Sequence, residues 1–121
     1  MTTPDLSVII VSWNVADSLL RCLAALPAAI TAAYRWETIV VDNASGDETL
    51  ARLRFEFAGV RIIANAENRL YTAAANQGLA AAQGRHRLLL NPDTLPLPGS
   101  LAQLVCFADS HPAAGVLGPR I

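Results

Sequence analysis

Three continuous apolar runs constrain the fold of this 121-residue chain more than any other feature: residues 6–12 (LSVIIVS), 37–42 (ETIVVD) and 86–91 (HRLLLN). None alternates with polar residues, so each is predicted to be a strand buried on both faces, as the strands of parallel sheets are. Residues 60–64 (VRIIA) form a shorter, weaker run of the same kind. Between the runs, residues 17–26, 47–57, 72–83 and 99–109 have helical spacing. Pro27 is predicted to stop the first helix, Ser45-Gly46-Asp47-Glu48 places capping and acidic residues at the start of the second, and Gly84 follows the third. Strands alternating with helices imply right-handed crossovers, hence a doubly wound α/β domain with a mostly parallel sheet. Residues 115–121 (GVLGPRI) read as a further strand entering a proline-marked turn. That leaves an open sheet edge, to be completed by another chain or by more of the same one, and self-association into a homo-oligomer is the expected consequence. With no repeat or linker inside it, the chain is expected to be one domain over residues 1–121.

Composition narrows the function. Nine basic residues, all arginine, stand against ten acidic ones; the net charge is −1, 53% of residues are hydrophobic and 16% are charged. Such a chain can build a core and is not disordered. It has no basic block for a nucleic-acid backbone or an anionic membrane surface. The Ala-rich uncharged stretch of residues 22–34 contains Pro27 and is shorter than the roughly 18–20 apolar residues of a membrane span. Residues 1–6 lack the basic start of a secretory signal, so a cytoplasmic protein is expected. Cys22 and Cys106 have neither C-x-x-C spacing nor neighbouring histidines and are expected to be small buried hydrophobes.

In parallel sheets, ligands bind beyond the carboxyl ends of the strands, where the strand order reverses. The segments that follow the strands here are Ser12-Trp13-Asn14, Asp42-Asn43-Ala44-Ser45-Gly46, residues 65–71, and Asn91-Pro92-Asp93-Thr94. Asn and Asp are common in such turns for backbone reasons, yet these converge on one edge. The Asp42 carboxylate ends an apolar run, where it can accept bonds from a base or a ribose hydroxyl or be satisfied by amides of its own loop. Pro92 stiffens the turn that orients Asn91 and Asp93; a carboxylate beside an amide oxygen suits a hard divalent cation held mainly by substrate phosphates. No G-x-G-x-x-G or G-x-x-x-x-G-K-[ST] is present, which excludes the dinucleotide fingerprint and the Walker A loop. A receiver domain is excluded because the first strand ends in Ser12-Trp13 and not in an acidic pair. His86 and His111 have no nucleophile motif to serve and are expected to be surface or packing residues.

Five stretches in register, namely residues 7–14 (SVIIVSWN), 39–47 (IVVDNASGD), 74–78 (AANQG), 88–94 (LLLNPDT) and 115–121, resemble the nucleotide-binding half of family-two, GT-A fold glycosyltransferases, in particular their rhamnosyltransferase-like branch. The resemblance implies an inverting transfer of a hexosyl or rhamnosyl group from a UDP- or TDP-linked donor to a glycan or lipid-linked acceptor, as in cell-wall polysaccharide synthesis, and in the complete enzyme a place at the inner membrane face. It implies a nucleotide-binding set of Ser12, Trp13, Asn14, Asp42, Asn43, Asn76, Asn91 and Asp93. Asn91-Pro92-Asp93 stands where the family has its D-x-D motif, with Asp93 holding Mg²⁺ or Mn²⁺ against the diphosphate. Two departures are visible: Leu70 occupies a position that is usually Gly, forfeiting positive φ, and Ala75 one that is usually Asn. The family's acidic general base is expected beyond Ile121, so this chain alone is expected to bind donor without turnover. The departures and the early stop at Ile121 favour an alternative, a noncatalytic nucleotide-binding or assembly module; a purely structural domain would bind no ligand.

Overall fold

The computed structural model describes residues 3–120. Four strands, β1 (Leu6–Ser12), β2 (Trp36–Asp42), β3 (Arg61–Ala64) and β4 (His86–Leu89), alternate with four helices, α1 (Ala16–Ile30), α2 (Thr49–Glu56), α3 (Leu70–Ala81) and α4 (Ser100–Ser110). The sheet is parallel throughout, in the order β3-β2-β1-β4. The order therefore reverses between β1 and β4. Register is set by the long β1–β2 pair, which runs from Leu6 opposite Trp36 to Ser12 opposite Asp42.

Alternate residues of the central strands feed two cores. Leu6, Val8, Ile10 and Val40 pack with Leu19, Leu23 and Leu26 of α1, Leu53 of α2, and Leu101 and Val105 of α4. On the opposite face, Ile9, Ile39 and Val41 pack against Ala74 and Ala82, in and just after α3. A small-residue stripe lets α3 lie close to the sheet: a Cβ at Gly78 would stand 2.3 Å from Ile9 Cγ2. Each fully buried Ile or Leu contributes about 1.5–3 kcal/mol, so β1, β2 and α1 carry most of the hydrophobic stabilisation.

The doubly wound parallel sheet expected from sequence is the observed fold, with four local corrections. Pro27 does not stop the first helix. It sits inside α1, which runs another turn because Ala29 and Ile30 are buried and the Thr31 N–H bonds to the Pro27 carbonyl at 2.9 Å. The fourth strand is not buried on both faces. It is an edge strand that leaves Arg87 and Leu89 exposed, because α3 lies over β1 and β2. Residues 115–120 form no strand; they pair with no neighbour, and Pro119 has no N–H to offer a ladder, while Ile121 lies outside the described residues. Cys106 lies on the exposed face of α4 and is not a core residue, whereas Cys22 is buried as expected. No described helix is long and apolar enough to cross a membrane.

Candidate functional site

Four loops meet at the carboxyl edge of the sheet, and three contain a non-glycine residue in the left-handed region: Asn14 (φ 52°) after β1, Ala44 (φ 62°) after β2 and Leu70 (φ 64°) at the end of the loop after β3. Each such residue costs about 1–2 kcal/mol over its relaxed conformation, and strain of this kind concentrates where the surrounding structure has a use for it.

Asp42 is the centre of the edge. It is 0% exposed, and its carboxylate accepts the Ser12 hydroxyl at 3.0 Å, the Ser45 N–H at 2.9 Å and the Ser45 hydroxyl at 2.6 Å. The Asn14 N–H donates to Ser45 Oγ at 3.0 Å, and the Gly46 N–H donates to Asn14 Oδ1 at 2.7 Å. A chain of donors thus runs from the β1 loop through Ser45 into the Asp42 carboxylate, and the two loops close on each other. Asp47 then turns the chain into α2 by accepting the Thr49 N–H at 3.0 Å and the Thr49 hydroxyl. The Thr49 bonds outweigh desolvation and hold the Asp47 carboxyl below its usual range.

A second network joins β2 to the loop after β3. Asn43, also buried, donates from Nδ2 to the Leu70 carbonyl at 3.0 Å and accepts at Oδ1 from Asn65 Nδ2 at 3.0 Å and the Arg69 N–H at 3.3 Å. Asn65 and Gln77 exchange a pair of amide hydrogen bonds at 2.8 and 2.9 Å. The Leu70 N–H is taken by Asn68 Oδ1 at 2.8 Å. Leu70 therefore keeps positive φ despite its side chain, which corrects the expectation that replacing Gly there forfeits that conformation. Side-chain amides on both sides supply what glycine gives without cost.

The fourth loop is a compact turn. The Asn91 carbonyl accepts the Thr94 hydroxyl at 2.7 Å and the Thr94 N–H at 3.2 Å, with Cys22 Sγ beneath it at 3.9 Å. Burial pushes the Cys22 thiol up, against the Thr94 hydrogen bond and with the nearby Asp93 charge, so it stays a protonated donor at neutral pH. The Asp93 side chain is exposed and has no hydrogen-bond partner among the described residues.

Of the residues singled out from sequence, Ser12, Asn14, Asp42 and Asn43 are drawn together at the tips of β1 and β2. Trp13 stands 54% exposed beside them. Asn91 and Asp93 follow β4, next to β1 across the point where the strand order reverses. Asn76 is exposed on α3 and joins neither network. Sequence reading missed Ser45 as the hub, and missed Asn65 and Gln77. Their signal was present in the spacing: a polar residue directly after β3 and another one helical turn past Ala73. A groove of about 460 Å³ lies away from this edge, between β4, α4 and residues 112–119. No group of three or more His, Cys, Asp or Glu side chains among the described residues forms a metal cage. Asp93 is a single available carboxylate on a stiff turn, which fits a cation whose other oxygens come from a bound diphosphate.

Parallel α/β proteins bind their ligands at strand tips where the sheet order reverses, and comparison with known proteins makes the class specific. Residues 7–121 match Glycosyl transferase family 2, and the chain belongs to that family. It is 32% identical over 108 residues to the succinoglycan biosynthesis protein ExoO of Rhizobium meliloti, covering 88% of this chain and 30% of that protein. The structure superposes on the mannosyltransferase PcManGT of Pyrobaculum calidifontis, solved with GDP-Man and Mn²⁺, with a TM-score of 0.76 and 25% identity over 89% of this chain and 33% of that one. It also superposes on S. aureus TarS in complex with UDP-GlcNAc, with a TM-score of 0.77 and 22% identity over 88% of this chain and 32% of TarS. The chain thus spans about a third of the length of these relatives.

Proposed function

We propose that this chain is the donor-binding part of an inverting glycosyltransferase that takes a hexosyl or rhamnosyl group from a UDP- or TDP-linked sugar for polysaccharide synthesis. The observation that carries the reading is the pre-closed edge: Asn14 and Leu70, both at positive φ, are held by cross-loop hydrogen bonds to Ser45 and Asn43, the two residues that flank Ala44, itself at positive φ. Structure that is paid for in strain before any ligand arrives lowers the ordering cost of binding one. The nucleoside stacks beside Trp13 and is read by the β1 and β2 loops, and the diphosphate lies toward Asp93. Arg69 is the one basic residue in the four loops, against Asp42, Asp47, Glu48, Glu67 and Asp93. That balance favours a diphosphate arriving with Mg²⁺ or Mn²⁺, held on the protein side by Asp93. Such a cation neutralises the leaving group. The general base that deprotonates the acceptor is supplied from outside residues 1–121, and the acceptor is a glycan or a lipid-linked glycan.

For the alternative of a noncatalytic module, Leu70 gives no support, because it retains the left-handed backbone. Chemical-shift mapping with UDP and TDP tests the reading: amides of Trp13, Asn14 and Ser45 are expected to move at millimolar nucleotide. If none moves with either ligand, the binding assignment is wrong.

A further inference from the structure

The hydrogen bonds at Asn43 give it a role different from the ligand contact its position suggests. Its amide makes three of the four hydrogen bonds available to it inside the protein, to the Leu70 carbonyl, Asn65 Nδ2 and the Arg69 N–H. Leu70 lies at φ 64° and is 74% exposed, so burial does not compensate for its backbone conformation. The Asn68 side chain satisfies only the N–H of Leu70, and Asn43 is the one side chain among the described residues that holds its carbonyl.

We propose that Asn43 is a positioning residue: by donating to the Leu70 carbonyl it holds the loop after β3 in its left-handed entry to α3, and through that loop it sets the shape of the nucleotide site. The inference rests on the donor-binding reading for its functional consequence but not for its conformational one. Asp at position 43 keeps both acceptor roles, toward Asn65 and Arg69, and puts a charged acceptor oxygen in place of the donor that faces the Leu70 carbonyl. Gly at position 70 takes positive φ without help. Asn43→Asp therefore releases Leu70, and Leu70→Gly in the same chain removes the need for the clamp.

The test has two arms on the purified chain. The first measures the HN–Hα coupling and Cα shift of residue 70 without ligand. Wild type is expected to show positive φ and Asn43→Asp a shift to negative φ; retention of positive φ in Asn43→Asp overturns the proposal, whether or not any nucleotide binds. The second measures UDP affinity. Asn43→Asp is expected to lose about tenfold, and Asn43→Asp/Leu70→Gly to recover most of it. Loss without recovery in the double variant means that Asn43 touches the ligand directly and also overturns the proposal. Absence of UDP binding in wild type counts against the donor-binding reading alone, and the first arm still decides the role of Asn43.

Discussion

Ser12 and Asp42 face each other across the β1–β2 register, and the Ser12 hydroxyl donates to Asp42 Oδ1 at 3.0 Å. The last rung of the longest ladder in the sheet is thus also the first bond of the candidate site, so site geometry inherits the rigidity of the central strands. Ser45 completes the arrangement from the other side with two donors to the same carboxylate.

Ser45→Ala removes the hydroxyl that both donates to Asp42 and accepts from the Asn14 N–H. Losing a donor to a buried carboxylate costs about 1–3 kcal/mol. Urea denaturation is expected to show that loss. Nucleotide affinity is expected to fall as well, since the β1 and β2 loops lose their shared partner. An unchanged denaturation midpoint would show that Ser45 is not the hub.

Gly78→Ala is expected to destabilise by about 1–3 kcal/mol through overpacking. The added Cβ would stand 2.3 Å from Ile9 Cγ2 and 3.3 Å from Val41 Cγ2, and both side chains are fully buried. The helix-propensity gain of Ala over Gly, about 1 kcal/mol, offsets only part of this. Gly59, whose Cβ would meet nothing within 4 Å, is the control, and Gly59→Ala is expected to stay within about 0.5 kcal/mol of wild type. Equal effects at the two positions would contradict the close approach of α3.

Acid sensitivity is expected to centre on Glu37. Burial pushes its carboxyl up, but the Ser7 hydroxyl at 2.6 Å, the Gln83 N–H at 2.7 Å and Arg61 at 2.9 Å together outweigh burial and hold it below its ordinary value of 4.5. With the folded pKa depressed, the unfolded state binds more protons in this range, so the stabilisation is present above about pH 4.5 and is lost as pH falls through the folded value. Melting temperature measured from pH 7 to pH 2 is expected to fall below pH 4.5 in wild type and to fall less in Glu37→Gln. Parallel curves would assign the acid transition elsewhere, for instance to Asp109, which Arg85 and His86 also hold low.

The alternation of apolar runs and helical segments disclosed the fold class and most strand positions, because a strand buried on both faces leaves a continuous signature that loops and surface helices do not. Sequence alone failed where tertiary neighbours decide. Pro27 is tolerated because Ala29 and Ile30 have a core to fill, and β4 is exposed on one face because α3 covers β1 and β2 instead. In the site, the loops were legible from their Asn and Asp content. Their wiring was not, since Ser45 earns its role only when the β1 loop lies across it, and Leu70 reads as a broken glycine position until the Asn43 and Asn68 amides are seen to hold it.

Metal and nucleotide are expected to bind as a linked pair through Asp93. The carboxylate is exposed and free of hydrogen bonds among the described residues, on a turn fixed by Pro92 and by the Thr94 bonds to the Asn91 carbonyl. One carboxylate offers too few hard oxygens for Mg²⁺ or Mn²⁺ on its own, whereas a diphosphate brings more of them and most of the charge. The free chain is therefore expected to bind Mn²⁺ weakly, and UDP to tighten that binding. By linkage, Mn²⁺ must then tighten UDP binding by the same factor, roughly 5–150-fold for couplings of ordinary size. Asp93→Asn keeps the shape of the turn and removes the charge, so it is expected to leave the melting temperature unchanged and to abolish most of the Mn²⁺ enhancement. Calorimetric titration of UDP into wild type and Asp93→Asn, each with and without Mn²⁺, measures all four affinities of the cycle. Equal enhancement in the two proteins removes Asp93 from the metal site and leaves it as a turn residue before α4.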